Sequence, residues 1–302
     1  MSEPLTVRPA RVDEVEAVAE LLNEHARRLH GADDVRAAEL LQYWESPDVD
    51  LERDVLVAEG VDGSLLGYAD IGVQGGQVWL DVRGLEPEPL RTLLEAIEAR
   101  AAEKKPGAGI FGYISESDHV ARGLYEQAGY GVIRHGYRME VSLDGGAPEP
   151  QWPEGLAVRT MGAGEEERVY EAYITSFADT WMFAPEPFDV WLHQFLKDPA
   201  FDPSLWFLAE AGDELAGIAL ARESESELGL GWVRVLGVMP EFRQRGLGQA
   251  LLRQAFAECA SRGLQRVGLG VDAENPTGAV RVYERAGMHV ARTNLILEKV
   301  QG

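Results

Sequence analysis

The chain has 302 residues, a net charge of −23 and one cysteine. That length holds two domains of ordinary size, and the acidity argues against nucleic acid or an anionic membrane as partner. A lone cysteine excludes an intramolecular disulfide, and with no signal peptide and no run of apolar residues long enough for a bilayer, a soluble cytoplasmic protein is expected.

Leu5 to Pro9 reads as a strand, followed by an amphipathic helix from Val12 to about Arg28 with Asp13 placed to cap it. A helical patch from Val35 to Trp44 leads to strands at Asp54–Glu59 and Ser64–Ile71, joined by a turn at Asp62-Gly63. Val78–Val82 is a strand, Leu90–Lys104 a helix, Gly109–Ile114 a strand, and Val120–Ala128 a helix. The glycine- and proline-rich stretch 144–155 has the composition of a linker. The same order of elements then recurs. A strand at Leu156–Thr160 precedes helices at Glu165–Phe177 and Pro187–Lys197, and paired strands follow at Leu205–Glu210 and Leu215–Arg222. After them come a strand at Trp232–Val238, a helix from Leu247, a strand at Arg266–Asp272, a helix near Thr277–Ala286 and closing strands over His289–Lys299.

The turn between Val238 and Leu247 carries the chemistry. Gly246 and Gly248 let the backbone bend and approach a ligand closely. The free N–H groups and dipole of the following helix make an anion site suited to a phosphate or pyrophosphate, and Arg243 and Arg245 are expected to add charge there. A Walker loop is excluded because no Lys-Ser/Thr follows Gly248, and a dinucleotide fingerprint because Leu251 stands where a small residue is needed. Between Gly231 and Arg285 there are eight arginines against five acids, a basic segment in an acidic chain. Cys259 lies on the apolar stripe of the helix and reads as core.

Leu93-Leu94 matches Leu251-Leu252, and Tyr125–Gly129 matches Tyr283–Gly287, both at one separation, which indicates a tandem duplication. In that register Leu85-Glu-Pro-Glu-Pro-Leu90 stands opposite Arg243–Gly248. Prolines lack donor N–H groups and carboxylates repel phosphate, so the first copy is not expected to bind a phosphate ligand in this way.

Arg243-Gln244-Arg245-Gly246-Leu247-Gly248 after a Val-x-Pro strand end, together with Val271–Met288, resembles the acetyl-CoA loop and following motif of the GNAT superfamily of N-acetyltransferases, in the tandem form that includes mycothiol synthase. The resemblance covers nearly the whole chain. It implies two GNAT-like α/β domains, each a twisted, mixed and mostly antiparallel sheet with helices on both faces: a degenerate one at 1–143 and an acetyl-CoA-binding one at 156–302. It further implies cofactor contacts at Leu236, Gly237 and Val238 on splayed strands, at Arg243, Gln244, Arg245, Gly246, Leu247, Gly248 and Gln249 in the loop, and at Asn275, with Tyr283 as general acid and no metal.

Transfer of an acetyl group from a thioester to an amine needs a neutral amine, a polarised carbonyl and a proton for the leaving thiolate. Relatives resembling mycothiol synthase carry a glutamate where this chain has Trp232, so the base is sought among Glu223, Glu225 and Glu227, with Glu227 the choice. Tyr170, Tyr173, Phe177, Trp181, Phe183, Phe188 and Trp191 would cover the acceptor side and suit an amine with an apolar body. The expected partners are a small-molecule or peptide amine and, as an assembly, a homodimer; a non-catalytic acyl-CoA-binding regulator is the alternative reading.

Overall fold

A computed structural model describes residues 5–224 and 229–299 of the chain. The first half runs β1 (Leu5–Pro9), α1 (Val15–His30), α2 (Ala37–Trp44), α3 (Leu51–Asp54), β2 (Val55–Gly60), β3 (Leu65–Gln74), β4 (Gln77–Gly84), α4 (Pro87–Lys104), β5 (Ile110–Ser115), α5 (His119–Gln127) and β6 (Tyr130–Ser142). The second runs β7 (Ala157–Thr160), α6 (Glu166–Phe177), α7 (Phe188–Leu196), β8 (Trp206–Ala211), β9 (Glu214–Glu223), β10 (Leu230–Val238), α8 (Leu247–Ser261), β11 (Arg266–Asp272), α9 (Ala279–Arg285) and β12 (His289–Lys299). No described helix is long and apolar enough to cross a membrane.

Local sequence explains most boundaries. Gly63, at φ 83°, turns the β2–β3 hairpin. α4 begins at Pro87, three residues before the expected Leu90, because proline is tolerated in a first helical turn, whose N–H groups have no intrahelical acceptor. Asp13 does not cap α1 through its side chain; it sits in a short 3-10 turn, Val12–Glu14, that leads into the helix.

The chain forms two compact units, and they cut across the boundaries at 143 and 156 that the repeat gives. Unit 1 holds residues 1–135, 197–199 and 293–302; unit 2 holds 136–196 and 200–292. Each unit thus receives its closing strand from the other half of the sequence. In unit 1 the chain's last strand pairs antiparallel with β5, Leu297 opposite Gly112, and Leu295 and Leu297 enter the core formed by α4, α5 and the sheet. In unit 2 the end of β6 pairs antiparallel with β11, Met139 opposite Leu269, and Met139 and Val141 enter the core under α8. Sequence repetition follows duplicated elements, whereas compactness follows which backbone completes which sheet.

Unit 2 is ordered β6-β11-β10-β9-β8-β7, antiparallel throughout except for β10 beside β11. Its core lies between α8 and one face of the sheet, through Leu247, Leu251, Leu252, Phe256 and Cys259. Burial pushes the Cys259 thiol up to about 12, and a Cβ at Gly231 would come within 2.6 Å of its sulfur, so this cysteine is a packing residue. A second core, with Trp191, Trp206 and Phe195, fills the space between the other face and helices α6 and α7.

The exchanged strands predict that damage at one end of the sequence appears at the other. Leu297 and Met139 are both fully buried, at 0% exposure. Leu297→Ala should cost about 2–5 kcal/mol and speed amide exchange in 110–115 of unit 1, while Met139→Ala should speed exchange in 266–272 of unit 2. Hydrogen exchange read by mass spectrometry decides: acceleration of 266–272 by Leu297→Ala would contradict the observed pairing.

Candidate functional site

The site begins with a strand that loses its neighbour. β10 pairs in parallel with β11 only from Leu230–Val233 against Arg266–Leu269; beyond that both strands continue, β10 to Val238 and β11 to Asp272, without pairing to each other. The cause is a bulge: the register of β10 against β9 shifts between Val233 and Val235, around Arg234. Gly270, just past the parting, has nothing within 4 Å of where its Cβ would stand. Where β10 and β11 part, the sheet opens into a wedge between their two edges.

Pairing with β9 fixes which groups of β10 face the wedge. Met239 donates its N–H to Ala216 O at 3.0 Å, and in an antiparallel ladder the bonded positions alternate, so Gly237 also bonds toward β9. The amides of Leu236 and Val238 then point into the wedge. Gly237 owes its identity to a close approach: a Cβ there would lie 2.3 Å from Ser176 Oγ on α6. That contact was not foreseen, although a glycine inside a strand is the usual sign of one.

The wedge leads to the loop. Gln244 has φ 61° and Gly246 φ 85°, two left-handed residues one apart, which turn successive N–H groups inward. Gly246 is the N-cap of α8 without a capping side chain, so the first-turn N–H groups of Leu247, Gly248 and Gln249 are left to a ligand. The first α8 bond is Ala250 N–H to Gly246 O, 3.1 Å. At Gly248 a Cβ would meet Val238 at 3.5 Å, ordinary contact, so its glycine keeps the approach open without relieving a clash. These are the elements that a pyrophosphate requires.

Side chains behave differently from the expectation. Arg243 does not project into the loop as an added charge. Its Nε donates to Val238 O (3.1 Å), its Nη2 to Ser176 O (3.0 Å) and Asp179 Oδ1 (3.1 Å), and its Nη1 to Asp179 Oδ2. Arg245 lies over the Phe242 ring at 5.5 Å. Arg262 pairs with Asp202 and Glu258, and Arg266 with Glu140, so much of the local excess of arginine is spent inside the protein. Gln249 Nε2 donates to Arg285 O (3.1 Å), tying α8 to the end of α9. Asn275 Oδ1 accepts from Thr277 N (2.9 Å) and Thr277 Oγ1 (2.5 Å), which shapes the turn into α9.

Tyr283 sits on α9 at 8% exposure, with its phenol pushed up to about 12 by burial. Its counterpart Tyr125 is 1% exposed with an enclosed hydroxyl that has no partner, because its ring lies against Gly112, where a Cβ would come within 2.6 Å. The strand position that matches Gly112 in unit 2 is Leu269, since Leu80↔Gly112 and Val233↔Leu269 are the last parallel pairs. A leucine there, buried in the same core as Tyr283, leaves no glycine for the ring to lie against.

The two strands β4 and β10 match as Val78-Trp79-Leu80-Asp81-Val82-Arg83-Gly84 against Gly231-Trp232-Val233-Arg234-Val235-Leu236-Gly237. This differs from the single separation that aligns the helices, so the gap falls in the loop: unit 1 has a shortened connection running straight into Pro87, not a loop with prolines in place of glycines. Its own strand parting holds Asp81, where unit 2 has Arg234. Arg83 pairs with Asp81 and Asp34, and Tyr43 and Tyr68 donate to Asp70, which burial and Asp81 raise to about 7.

Of the candidate bases, Glu225 and Glu227 lie outside the described residues. Glu223 pairs with Gly231 and approaches Arg262, at the C-terminal end of α8, roughly 20 Å along the helix from its first turn. Ser224 N–H to Leu230 O (2.7 Å) marks this as the paired end of β10, opposite to the wedge. On the α6–α7 side, Trp191 is core, while Tyr173, Phe177 and Phe183 form a partly accessible patch with centroids 5.4–5.8 Å apart. Arg234, at the bulge, stacks 3.9 Å over Phe195 and donates to Gln194 O (2.9 Å).

Residues 166–288 match the model of the acetyltransferase (GNAT) family. A protein of Streptomyces coelicolor named mycothiol acetyltransferase is 30% identical over 98% of both chains. Its namesake from Thermobispora bispora is 39% identical over 53% of this chain, a match that spans only about half of that relative, 56%. The crystal structure of a GCN5-related N-acetyltransferase from Sphaerobacter thermophilus is 30% identical and superposes with a TM-score of 0.79, covering 99% of this chain and 96% of that one. Wedge, loop and relatives agree: the chain belongs to the GNAT family of N-acetyltransferases, in its tandem two-unit form.

Proposed function

We propose that unit 2 binds acetyl-CoA in the wedge and loop and passes the acetyl group directly to the amine of a small-molecule acceptor. The observation that carries this reading is the parting of β10 from β11 at Val233 and Leu269, which runs into an uncapped helix N-terminus in unit 2 and into a proline-started helix in unit 1.

Acetyl-CoA, when bound, supplies an activated acyl carbonyl. The N–H groups of residues 247–249 hold its pyrophosphate, and Leu236 offers N–H and C=O to the amides of the pantetheine arm in the manner of a missing strand. The amide of Val238 is the donor placed to polarise the carbonyl. Tyr283 keeps its proton across neutral pH because burial raises its pKa to about 12. With a thiol near 8.5 as conjugate acid, full ionisation of the phenol is uphill, so its contribution is a hydrogen bond that tightens as the sulfur becomes negative. The acceptor amine enters from the α6–α7 face, where the Tyr173 and Phe177 rings receive an apolar body. With no carboxylate at Trp232, the acceptor enters as the neutral amine and the acid limb of the kcat/KM profile belongs to its own pKa. The proton that its nitrogen loses as the amide forms passes through water to the departing thiolate, which leaves as the CoA thiol, with Glu227, outside the described residues, as the candidate base for that transfer.

Calorimetric titration of acetyl-CoA tests the assignment. The wild type should bind one equivalent, and Gly246→Glu with Gly248→Leu should abolish binding. Two sites per chain, or none in the wild type, would overturn it. Tyr283→Phe should lower kcat on the order of 10²-fold with little change in KM. In the wild type, kcat/KM for the acceptor should rise as the free amine loses its proton, and kcat should stay flat to about pH 10, since an acid held near 12 remains protonated there. An alkaline limb below pH 9 that disappears in Tyr283→Phe would contradict the environment described for this tyrosine.

A further inference from the structure

Arg243 occupies the first position of the phosphate loop, yet in the described state its guanidinium faces the acceptor side. Nε reaches back to Val238 O, which closes the loop, and Nη2 holds Ser176 O at the end of α6. The remaining contact is the fork to Asp179, two residues beyond that helix end. Ser176 is in turn pressed against Gly237 on the wedge strand. The end of α6 is thus fixed to β10 by a steric contact and to the loop by one cation.

Asp179 belongs to the 178–187 connection between α6 and α7. This segment carries a non-glycine residue in the left-handed region, Met182 at φ 52°, and lays Phe183 over Tyr173 and Phe177 at 5.4 and 5.8 Å. It is therefore a strap across the aromatic patch on the acceptor face. The bonds that fasten it differ in strength. Arg243 keeps 26% of its side chain accessible and Asp179 52%, so the ion pair is half in water and worth no more than about 1 kcal/mol. A pyrophosphate at the α8 N-terminus carries more charge than a carboxylate, offers the same planar oxygen pair to the fork, and is held independently by backbone N–H groups. The two anions compete for one guanidinium.

We propose that Arg243 couples the two substrate sites: acyl-CoA binding draws its fork from Asp179 to the pyrophosphate, the strap 178–187 lifts from the aromatic patch, and the acceptor enters second. Asp179 is on this account a positioning residue that keeps the acceptor face covered until the cofactor is in place. The proposal rests on the acetyl-CoA site described above, and its test separates the two.

Hydrogen exchange is measured on the full chain with and without CoA. In the wild type, CoA should slow exchange in 243–250 and speed it several-fold in 178–187. In Asp179→Asn, which removes a half-exposed charge and leaves the core untouched, 178–187 should exchange fast before CoA is added and gain nothing from it, while 243–250 is still protected. Arg243→Lys, which keeps the charge and loses the fork, should behave like Asp179→Asn in the strap. Protection of 243–250 with an unchanged or slower strap in the wild type would overturn the coupling and leave the cofactor site standing. No protection of 243–250 would remove the cofactor site, and the coupling with it.

Discussion

The structure of unit 2 depends on one departure from regular pairing, the bulge at Arg234. A β-strand must place its N–H and C=O groups somewhere, and unpaired buried ones cost about as much as lost hydrogen bonds. By adding a residue to β10, the bulge turns its last segment away from β11 while β9 continues to hold the other edge. The groups left over, N–H and C=O of Leu236 and the N–H of Val238, are directed donors and an acceptor of the kind an extended, amide-bearing ligand satisfies, while Val238 O accepts from Arg243 Nε. The loop and α8 then follow from where β10 points, since the chain must turn within a few residues and start a helix whose first N–H groups face the same opening.

The two units show how small a change closes such a site. Both keep the parallel contact and a tyrosine on the helix after it. In unit 1 a glycine under the ring lets Tyr125 sink onto β5, and a shortened connection begins α4 with Pro87 and keeps Pro89 in its first turn. Two donor N–H groups are thereby missing from the place where an anion would dock. In unit 2, Leu269 takes the place of that glycine, and Gly246 and Gln244 supply the left-handed turns. On the proposed reading, chemistry is kept on unit 2 while unit 1, completed by β12, keeps the architecture.

The loop, its two glycines and the tyrosine were legible in the sequence because they are local, strand, turn and helix within a few tens of residues; Gly246 stands where positive φ is needed, whereas the left-handed Gln244 carries no such signal. Of the two closing strands, β12 was legible as a strand but not in its pairing, and β6, which carries Met139, was not read as a strand at all; nothing in Met139 or Leu297 says which of two similar sheets each completes. The partners that Arg243 holds in this structure were not legible for a related reason. Its position in the motif is local, but its partners, Ser176 O and Asp179, are brought to it by the packing of α6 on Gly237. The single separation of the repeat hid a gap, since leucine pairs on α4 and α8 align independently of the strands before them.

Charge explains why the recognition takes this form. A chain of net charge −23 repels a polyanion at long range, and free surface arginines would be drawn instead to the many carboxylates around them, as Arg262 and Arg266 are. Backbone N–H groups are immune to that competition: their direction is fixed by the fold, they carry no counter-charge to be captured, and at a helix start they act together with the dipole. The uncapped turn of α8 is an anion receptor that the protein's own acids do not compete for, so on the proposed reading glycines and left-handed φ angles, rather than the count of arginines, mark the cofactor site.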